Sequence, residues 1–435
     1  MRVLFTSFAA TSHVHTQVPL AWAMRAAGHE VRMASQPDGV EHIRRAGLTA
    51  VPVGEPLDQE SVVQELDARR SEAQEEGRTG PEALDFVALT DISELRPERM
   101  TYPYMQARQL ALTMGAFPTQ SDPGTIDDLV LFARWWRPDL VVWDTMTFSG
   151  PVAAMASGAA HARLLFGLDL IGWLRGHYRA ELGSRHPLLR DDPMAEWLGW
   201  TLDAYDCAFA EEAVVGQWTI DPVPASLALP VPGIRVPVRY LPYHGPSVVP
   251  SWVHEPPARP RVCVTLGLSQ QEVFGRDRAS LAEILAAVAE LDVEVVATLN
   301  AAQLAALGGD PPSNVRVVGF VPLDALLPTC AAVISHGGAG TFGTALAHGI
   351  PQVIVPDLLW DTTRKAERLE AAGAGLRVAD PEELTAAELR ALLARVLGEP
   401  SFATAAARLR DEMRATPAPA DIVPTLERLT AEFRR

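Results

Sequence analysis

The stretch AAVISHGGAGTFGTALAHGIPQVIVPD, residues 331–357, contains the local pattern that decides the fold prediction. An apolar run typical of a buried strand ends at His336 and is followed by Gly337, Gly338 and Gly340. A helical stretch and a second apolar run come next. A strand, a glycine-rich turn, a helix and a further strand form a β-α-β unit, which predicts a parallel α/β sheet.

The same alternation extends over most of the chain. The runs RVLFTS, EVRMAS, RPDLVVWD and HARLLFG predict strands in the first half, and RVCVTLG, VEVVATL and NVRVVGF predict strands in the second. Between the halves, residues 221–260 contain eleven prolines, which exclude a continuous helix or a central strand. We therefore predict a doubly wound domain over residues 1–235, a linker over 236–259 and a second doubly wound domain over 260–415. Residues 416–435 should form a helix that packs back on the first domain, and the polar stretch 55–124 should be mobile.

Composition excludes several classes of function. The net charge of −17 argues against binding to nucleic acid or to an anionic membrane surface, because both need basic surfaces. The three cysteines form no CxxC pair, so neither a disulfide framework nor a zinc site is indicated. No apolar run is long enough to span a membrane, and the first residues predict a strand rather than a signal peptide. We therefore expect a cytoplasmic protein.

The glycine-rich turn predicts an anion site. The N-terminus of a helix exposes unpaired N–H groups and the positive end of the helix dipole, and glycine lets a phosphate approach the backbone closely. We expect the N–H groups of Gly338, Ala339, Gly340 and Thr341 to face a phosphate or diphosphate. His336, directly before the turn, could donate a further hydrogen bond to it.

A nicotinamide-dependent oxidoreductase is one alternative. Gly338, Gly340 and Gly343 satisfy the GxGxxG pattern, and Asp357 ends the following strand. Against it, the dinucleotide pattern usually opens its domain, whereas three predicted strands precede this one, and His336 stands next to the turn. A second alternative is a non-catalytic nucleotide-sugar binding protein or an inactive partner subunit.

A second cluster of candidate residues lies in the first half. His13 and His15 follow the first predicted strand, and Asp144 ends RPDLVVWD. Because ligands bind at the carboxyl edge of a parallel sheet, both strand ends should face the ligand. Histidine suits a general base at cellular pH, and an aspartate partner would set its tautomer and stabilise the imidazolium. His13 and His15 could instead be loop residues, and Asp144 could be a turn residue.

The chain resembles a known family. HGGAGTFGTALAHGIPQVIVPDLLWDTTRKAERL is similar to the donor-binding motif of family 1 glycosyltransferases, which have the two-domain GT-B fold. VPLAWAMRAAGHEV, EEAVVGQWTIDP and GPSVVPSWVHEPPARPRVCVTLG resemble the deoxyaminosugar transferases of macrolide and anthracycline antibiotic biosynthesis. The resemblance covers nearly the whole chain and is weakest over residues 55–124. It implies two Rossmann-like domains that face each other across a cleft.

The resemblance also implies a donor site for a dTDP-sugar, with no metal cofactor. Its diphosphate would lie against His336, Gly337, Gly338, Ala339, Gly340 and Thr341. Phe320 and Val321 would frame the base, and Thr265 and Gly267 would lie near the phosphates. Many family members carry Asp-Gln where this chain has Asp361 and Thr362, and both side chains contact sugar hydroxyls. The shorter threonine favours a deoxysugar donor, which has fewer hydroxyls to bind.

For the acceptor, the resemblance implies that His13 is the base of an inverting transfer and Asp144 its partner. The apolar side chains Trp143, Phe148 and Phe166 would line the site of a hydrophobic polyketide-type aglycone. Close relatives often need a cytochrome-P450-like auxiliary protein, so a partner of that class is expected, and a homodimer is left open. The expected function is thus the transfer of a deoxysugar, in particular a deoxyaminosugar, during antibiotic biosynthesis.

Overall fold

The computed structural model describes residues 1–57, 86–267, 279–306, 310–357 and 360–434. Its strands are β1 Arg2–Thr6, β2 Glu30–Ser35, β3 Thr49–Pro52, β4 Leu140–Asp144, β5 Ala160–Leu164, β6 Trp218–Asp221, β7 Arg235–Pro237, β8 Arg261–Thr265, β9 Glu294–Thr298, β10 Val315–Val318, β11 Ala332–Ser335, β12 Gln352–Ile354 and β13 Gly375–Arg377. Part of the polar stretch predicted to be mobile, residues 58–85, lies outside the described residues.

The α-helices are α1 Thr11–Ala26, α2 Val40–Arg45, α3 Phe86–Thr90, α4 Tyr102–Ala111, α5 Phe117–Gln120, α6 Pro123–Trp136, α7 Ser149–Ser157, α8 Leu170–Ser184, α9 Pro193–Asp203, α10 Glu212–Val215, α11 Leu281–Ala289, α12 Ala301–Ala306, α13 Leu323–Leu326, α14 Ala339–His348, α15 Thr362–Ala371, α16 Ala386–Gly398, α17 Pro400–Ala415 and α18 Pro419–Phe433. A π-helical turn, Leu112–Ala116, joins α4 to α5. Short 3-10 segments lie at Pro37–Gly39, Pro97–Arg99, Pro187–Leu189, Ser251–His254 and Leu327–Thr329. Within the described ranges, no helix is both long and apolar enough to cross a membrane.

The chain divides into two compact units. The first contains residues 1–223, 228–238 and 417–435, and the second contains residues 224–227 and 239–416. The main change from the first unit to the second falls between Val238 and Arg239, within the stretch 236–259 that was predicted to be the linker. The proline-rich stretch does include one strand, but β7 lies at the edge of its sheet, where missing N–H donors are tolerated.

The first unit is built on a seven-stranded parallel sheet in the order β3-β2-β1-β4-β5-β6-β7. Its central strands are apolar on both faces, as parallel strands covered by helices must be, and Val3, Leu4 and Phe5 are 0% exposed. β1 pairs with β2 on one side and with β4 on the other, so the strand order changes direction between β1 and β4. In open α/β sheets, this switch point is where ligands bind.

The last helix belongs to the first unit. α18 packs against α1 and β5, and the ring of Phe433 lies 5.8 Å from that of Trp218. Its end is held by Arg434, whose guanidinium forms an ion pair with Asp139 at 2.5 Å. These contacts attach the end of the chain to the sheet that carries β1 and β4.

The second unit repeats the design with a six-stranded parallel sheet in the order β10-β9-β8-β11-β12-β13. Here the strand order changes direction between β8 and β11, whose ends are aligned by the pairing of Thr265 with Ser335. That register places Gly267, after β8, beside His336, after β11. Both clusters singled out from the sequence therefore lie at the switch point of their own sheet.

Candidate functional site

The first cluster joins His13 to Asp144. Nδ1 of His13 and Oδ2 of Asp144 are 2.8 Å apart, with 15% and 2% of the two side chains exposed. The other carboxylate oxygen of Asp144, Oδ1, accepts a hydrogen bond from the N–H of Met146 at 2.9 Å. When the Asp144 carboxylate is ionised it can only accept, and Nδ1 of a neutral His13 then carries the proton of this bond. Nε2 of the neutral imidazole is then left with a lone pair that can take a proton.

The local sequence explains this pairing. β1 and β4 are neighbours, and His13 lies in the first turn of α1, directly after β1, rather than in a loop before the helix. His15 is two residues further along α1 and therefore faces another direction. Its ring lies 6.1 Å from that of His42, which is 3.2 Å from the hydroxyl of Thr11. The structure thus places His13, and not His15, against Asp144.

Two phenylalanines flank the imidazole of His13. The ring centroid of Phe8 lies 4.4 Å from that of His13 with the planes at 52°, and that of Phe166 lies 4.3 Å away at 61°. Phe166 was predicted from the sequence to line the acceptor site, whereas no signal pointed to Phe8.

The other two predicted acceptor residues occupy a different place. Trp143 and Phe148 are both 0% exposed. Phe148 packs against Phe117 at 4.5 Å and Trp197 at 5.5 Å, and Trp143 donates its indole N–H to Nδ1 of His161 at 3.3 Å. Both side chains are part of the core of the first unit, and contact between them and an acceptor stays a prediction.

The second cluster surrounds the glycine-rich turn. Gly337 has a φ of 84°, which favours glycine, and its N–H donates to the hydroxyl of Ser335 at 3.2 Å. α14 then begins at Ala339 with Gly338 at its N-cap. The N–H groups of Ala339, Gly340 and Thr341 belong to the first turn of this helix, where no backbone partner exists within the helix. The turn therefore has the geometry of an anion site.

His336 lies buried beside this turn, 8% exposed. Its Nε2 is 3.8 Å from Oδ2 of Asp357, which is beyond hydrogen-bonding distance, and no described residue offers a partner to its Nδ1. Burial, with a smaller contribution from the positive charge of Lys365, lowers the pKa of His336 to about 4. At neutral pH the ring is therefore uncharged and can donate one N–H.

The glycines around His336 are needed for packing. A Cβ at Gly267, which has a φ of 71°, would lie 2.3 Å from Cε1 of His336. A Cβ at Gly338 would lie 2.3 Å from Nε2 of the same ring. The sequence prediction placed Gly267 near the phosphates, and the structure places it against the imidazole of His336.

The remaining glycines of the GxGxxG pattern have different surroundings. A Cβ at Gly343 would lie 2.8 Å from Cε1 of Tyr240, whose hydroxyl donates to the carbonyl of Gly340 at 3.1 Å. At Gly340, by contrast, the nearest atom to a Cβ would be the Tyr240 hydroxyl at 4.0 Å. The absence of a side chain at Gly343 therefore allows close packing of Tyr240, whereas the space beside Gly340, in the first turn of α14, is open. The sequence did not indicate this contact of Tyr240, because one hundred residues separate it from Gly340.

The pair Asp361 and Thr362 lies near the turn but is engaged within the unit. Asp361 Oδ1 forms an ion pair with Lys365 Nζ at 2.9 Å, and the two side chains are 2% and 4% exposed. Thr362 donates its hydroxyl to Oδ1 of Asp357 at 2.9 Å. Contact between these two side chains and sugar hydroxyls stays a prediction. Lys365 was missed, although its spacing of four residues from Asp361 is that of an ion pair along a helix.

The predicted base-framing and strand-end residues are in three different environments. Phe320 is 57% exposed and lies 6.3 Å from the ring of His244. Val321 is 2% exposed and belongs to an apolar cluster with Val253 and others, and its contact with the base stays a prediction. Thr265, at the end of β8, is 5% exposed. Among the residues that the structure describes, no group of three or more His, Cys, Asp or Glu side chains is placed to hold a metal ion.

Known proteins resemble this chain along its length. The erythromycin biosynthesis protein CIII-like N-terminal domain matches residues 22–267, and the corresponding C-terminal domain matches residues 282–429. Aclacinomycin-T 2-deoxy-L-fucose transferase of Streptomyces galilaeus is 56% identical, over 100% of this chain and 97% of that protein. Tylactone mycaminosyltransferase of Streptomyces fradiae is 47% identical, over 100% of this chain and 93% of that protein.

Solved structures of glycosyltransferases also match this chain over nearly its whole length. The glycosyltransferase VinC, in complex with dTDP, matches with a TM-score of 0.87 and 42% identity, over 99% of this chain and 100% of that one. The spinosyn forosaminyltransferase SpnP matches with a TM-score of 0.80 and 42% identity, over 99% of both chains.

Proposed function

Because the chain belongs to the erythromycin biosynthesis protein CIII-like family and is a glycosyltransferase, we propose that it moves a deoxysugar from a dTDP-sugar to a hydroxyl of a hydrophobic polyketide-type natural product. The relatives include transferases of neutral sugars and of aminosugars, in both macrolide and anthracycline pathways. The two parallel α/β units have the GT-B fold of the solved relatives, as predicted. The oxidoreductase alternative and the non-catalytic alternative lose their support.

The proposed reaction begins at His13. Nε2 of the imidazole takes the proton of the acceptor hydroxyl while that oxygen forms a bond to the anomeric carbon of the sugar. The bond from this carbon to the diphosphate oxygen breaks on the opposite face, so the configuration is inverted and dTDP leaves. Asp144, bonded to Nδ1 at 2.8 Å, keeps the tautomer and stabilises the imidazolium that forms.

The leaving diphosphate gains negative charge as its bond breaks. The N–H groups of the first turn of α14 and the positive end of that helix would stabilise this charge. Neutral His336 would add one donor beside the turn. We therefore propose that the reaction needs no metal cofactor, because these groups supply the charge stabilisation.

The observation that carries this proposal is the hydrogen bond between His13 and Asp144 at the switch point of the first sheet. The test combines a panel of dTDP-deoxysugars with hydrophobic aglycones and detects glycosylated products by mass spectrometry. We expect a mass gain of one deoxysugar residue with the native protein and a large loss of product with His13→Ala. Equal product formation by the two proteins would contradict the proposal.

Two partner proposals accompany this function. The family resemblance implies a cytochrome-P450-like auxiliary protein, and three exposed apolar side chains of the first unit are candidate contact residues for it: Met114 and Trp135 are each 71% exposed, and Trp200 is 74% exposed. Turnover measured with and without the purified auxiliary protein tests this. A homodimer is the second proposal, and sedimentation velocity tests it.

A further inference from the structure

The imidazole of His13 is packed by two aromatic rings that come from different loops. Phe8 follows β1 and Phe166 follows β5, and their ring centroids lie 4.4 and 4.3 Å from that of His13. Separations of this size are at the short end of those seen for interacting aromatic rings. With Nδ1 held by Asp144 and two rings against it, the side chain of His13 has little freedom to rotate.

Phe8 is itself tied to the loop that carries Asp144. Its side chain is 4% exposed, and its N–H donates to the hydroxyl of Thr147 at 3.0 Å. The N–H of Thr147 donates in turn to the carbonyl of Asp144 at 2.8 Å. Phe8, Thr147 and Asp144 thus form a continuous connection between the ends of β1 and β4. The base, its carboxylate and one flanking ring are held by the same set of hydrogen bonds.

We propose that Phe8 and Phe166 are positioning residues for the transfer reaction, and that they act through His13. Their rings hold the imidazole so that Nε2 points at the acceptor hydroxyl, because close aromatic packing on two sides limits the rotation of the imidazole. A base that is misplaced by about 1 Å can lose about 10²-fold in rate. This inference rests on the proposed function, in which His13 is the base.

The two roles available to Phe166 make opposite predictions. A ring that lines the acceptor site contributes to acceptor binding whether or not His13 is present. A ring that acts through His13 contributes nothing once the imidazole is gone. Residues that act as a unit are not additive, and a double-mutant cycle measures this coupling directly.

The experiment compares turnover at saturating donor in six forms of the full chain: native, Phe166→Leu, Phe166→Tyr, His13→Ala, and the two phenylalanine variants combined with His13→Ala. We expect Phe166→Leu to lower kcat about tenfold with the acceptor KM nearly unchanged, a loss that corresponds to the upper range for an aromatic pair. Phe166→Tyr retains the ring and should retain most of kcat. In the His13→Ala background neither change should lower the residual rate further. The Phe8→Leu and Phe8→Tyr variants, alone and combined with His13→Ala, should show the same pattern of kcat.

Thermal unfolding and dTDP affinity serve as controls for each variant, since a variant that fails to fold shows neither a cooperative unfolding transition nor dTDP binding. An equal loss from Phe166→Leu in both backgrounds, or a rise in acceptor KM without a fall in kcat, would overturn the positioning role. Near-native turnover of His13→Ala would instead overturn the proposed function itself. The two failures are therefore distinguishable.

Discussion

Replacing Gly340 with valine tests the anion site without disturbing the fold. Gly340 is exposed in the first turn of α14, and a Cβ there would have the Tyr240 hydroxyl, at 4.0 Å, as its nearest neighbour. Valine is a slightly better helix former than glycine, so the helix itself should not be weakened. The branched side chain would instead occupy the space through which a diphosphate reaches the N–H groups.

The size of the effect follows from those N–H groups. A hydrogen bond to a charged group is worth about 1.5–3 kcal/mol. If the side chain keeps the diphosphate from two of the three N–H groups, the loss is about 3–6 kcal/mol, or about 10²–10⁴-fold in the dissociation constant of dTDP. The unfolding temperature without ligand should be unchanged.

Isothermal titration calorimetry with dTDP measures this loss, and NAD serves as the comparison ligand. Gly398→Val is the matched control, because Gly398 is exposed at the end of α16 and a Cβ there has no atom within 4 Å. Gly343→Val is the contrasting variant, because its Cβ would lie 2.8 Å from Tyr240 and should lower the unfolding temperature. Undiminished dTDP affinity in Gly340→Val would remove the turn from the site, and binding of NAD in place of dTDP would contradict the transferase function.

Four other predictions concern catalysis, pH, charge and metal. His13→Ala should lower turnover about 10²–10⁴-fold with dTDP affinity unchanged, and adding Asp144→Asn to it should lower turnover little further. Initial rates at saturating donor measure this, and a double variant whose loss equals the product of the two single losses would refute it. Because the pKa of His336 is lowered to about 4, the unfolded state binds the proton more tightly, and stability is lost as pH falls below about 6.5. Urea unfolding should show roughly 2 kcal/mol less stability from this group at pH 5 than at pH 7, and His336→Asn, whose amide does not titrate, should lack that difference. Lys365→Met should destabilise the fold by about 3–5 kcal/mol, because it leaves the Asp361 carboxylate buried without its ion pair, and restoration of stability by adding Asp361→Asn is the check in chemical denaturation. Treatment with EDTA should leave turnover unchanged, and inactivation that Mg²⁺ reverses would show that the diphosphate needs a metal.

The local part of the donor site could be predicted from the sequence. An apolar run, a cluster of glycines and a helical pattern are signals within one short segment, and they place the turn at the start of α14 without further information. The approach of His13 to Asp144 was also predictable, because parallel strands end at the same edge of a sheet and β1 and β4 are neighbours in it.

The sequence did not indicate which of the candidate aromatic side chains are buried in the core. Trp143 directly precedes Asp144 in the predicted strand, and Phe148 comes four residues after Asp144. An aromatic residue near a candidate base is compatible with a binding surface or with the interior. Trp143 lies in β4, and because helices cover both faces of this sheet, either direction from the strand leads into packed interior. Phe148 lies at the N-cap of α7, which is one of the helices that cover the sheet. Whether such an aromatic side chain is exposed therefore depends on the helices that cover β4, and no local sequence pattern indicates how they are placed.

The sequence by itself determined the class of fold, the glycine turn, the identity of the candidate base and the family, because each of these depends on residue types at fixed spacings along the chain. The tertiary structure alone decided that Gly343 faces Tyr240, that His336 is buried near Lys365, and that Phe8 and Phe166 enclose His13. These contacts join residues that are far apart in the chain or that lie on different loops. Their distances are set by how strands and helices pack, and packing depends on all the side chains of a unit at once.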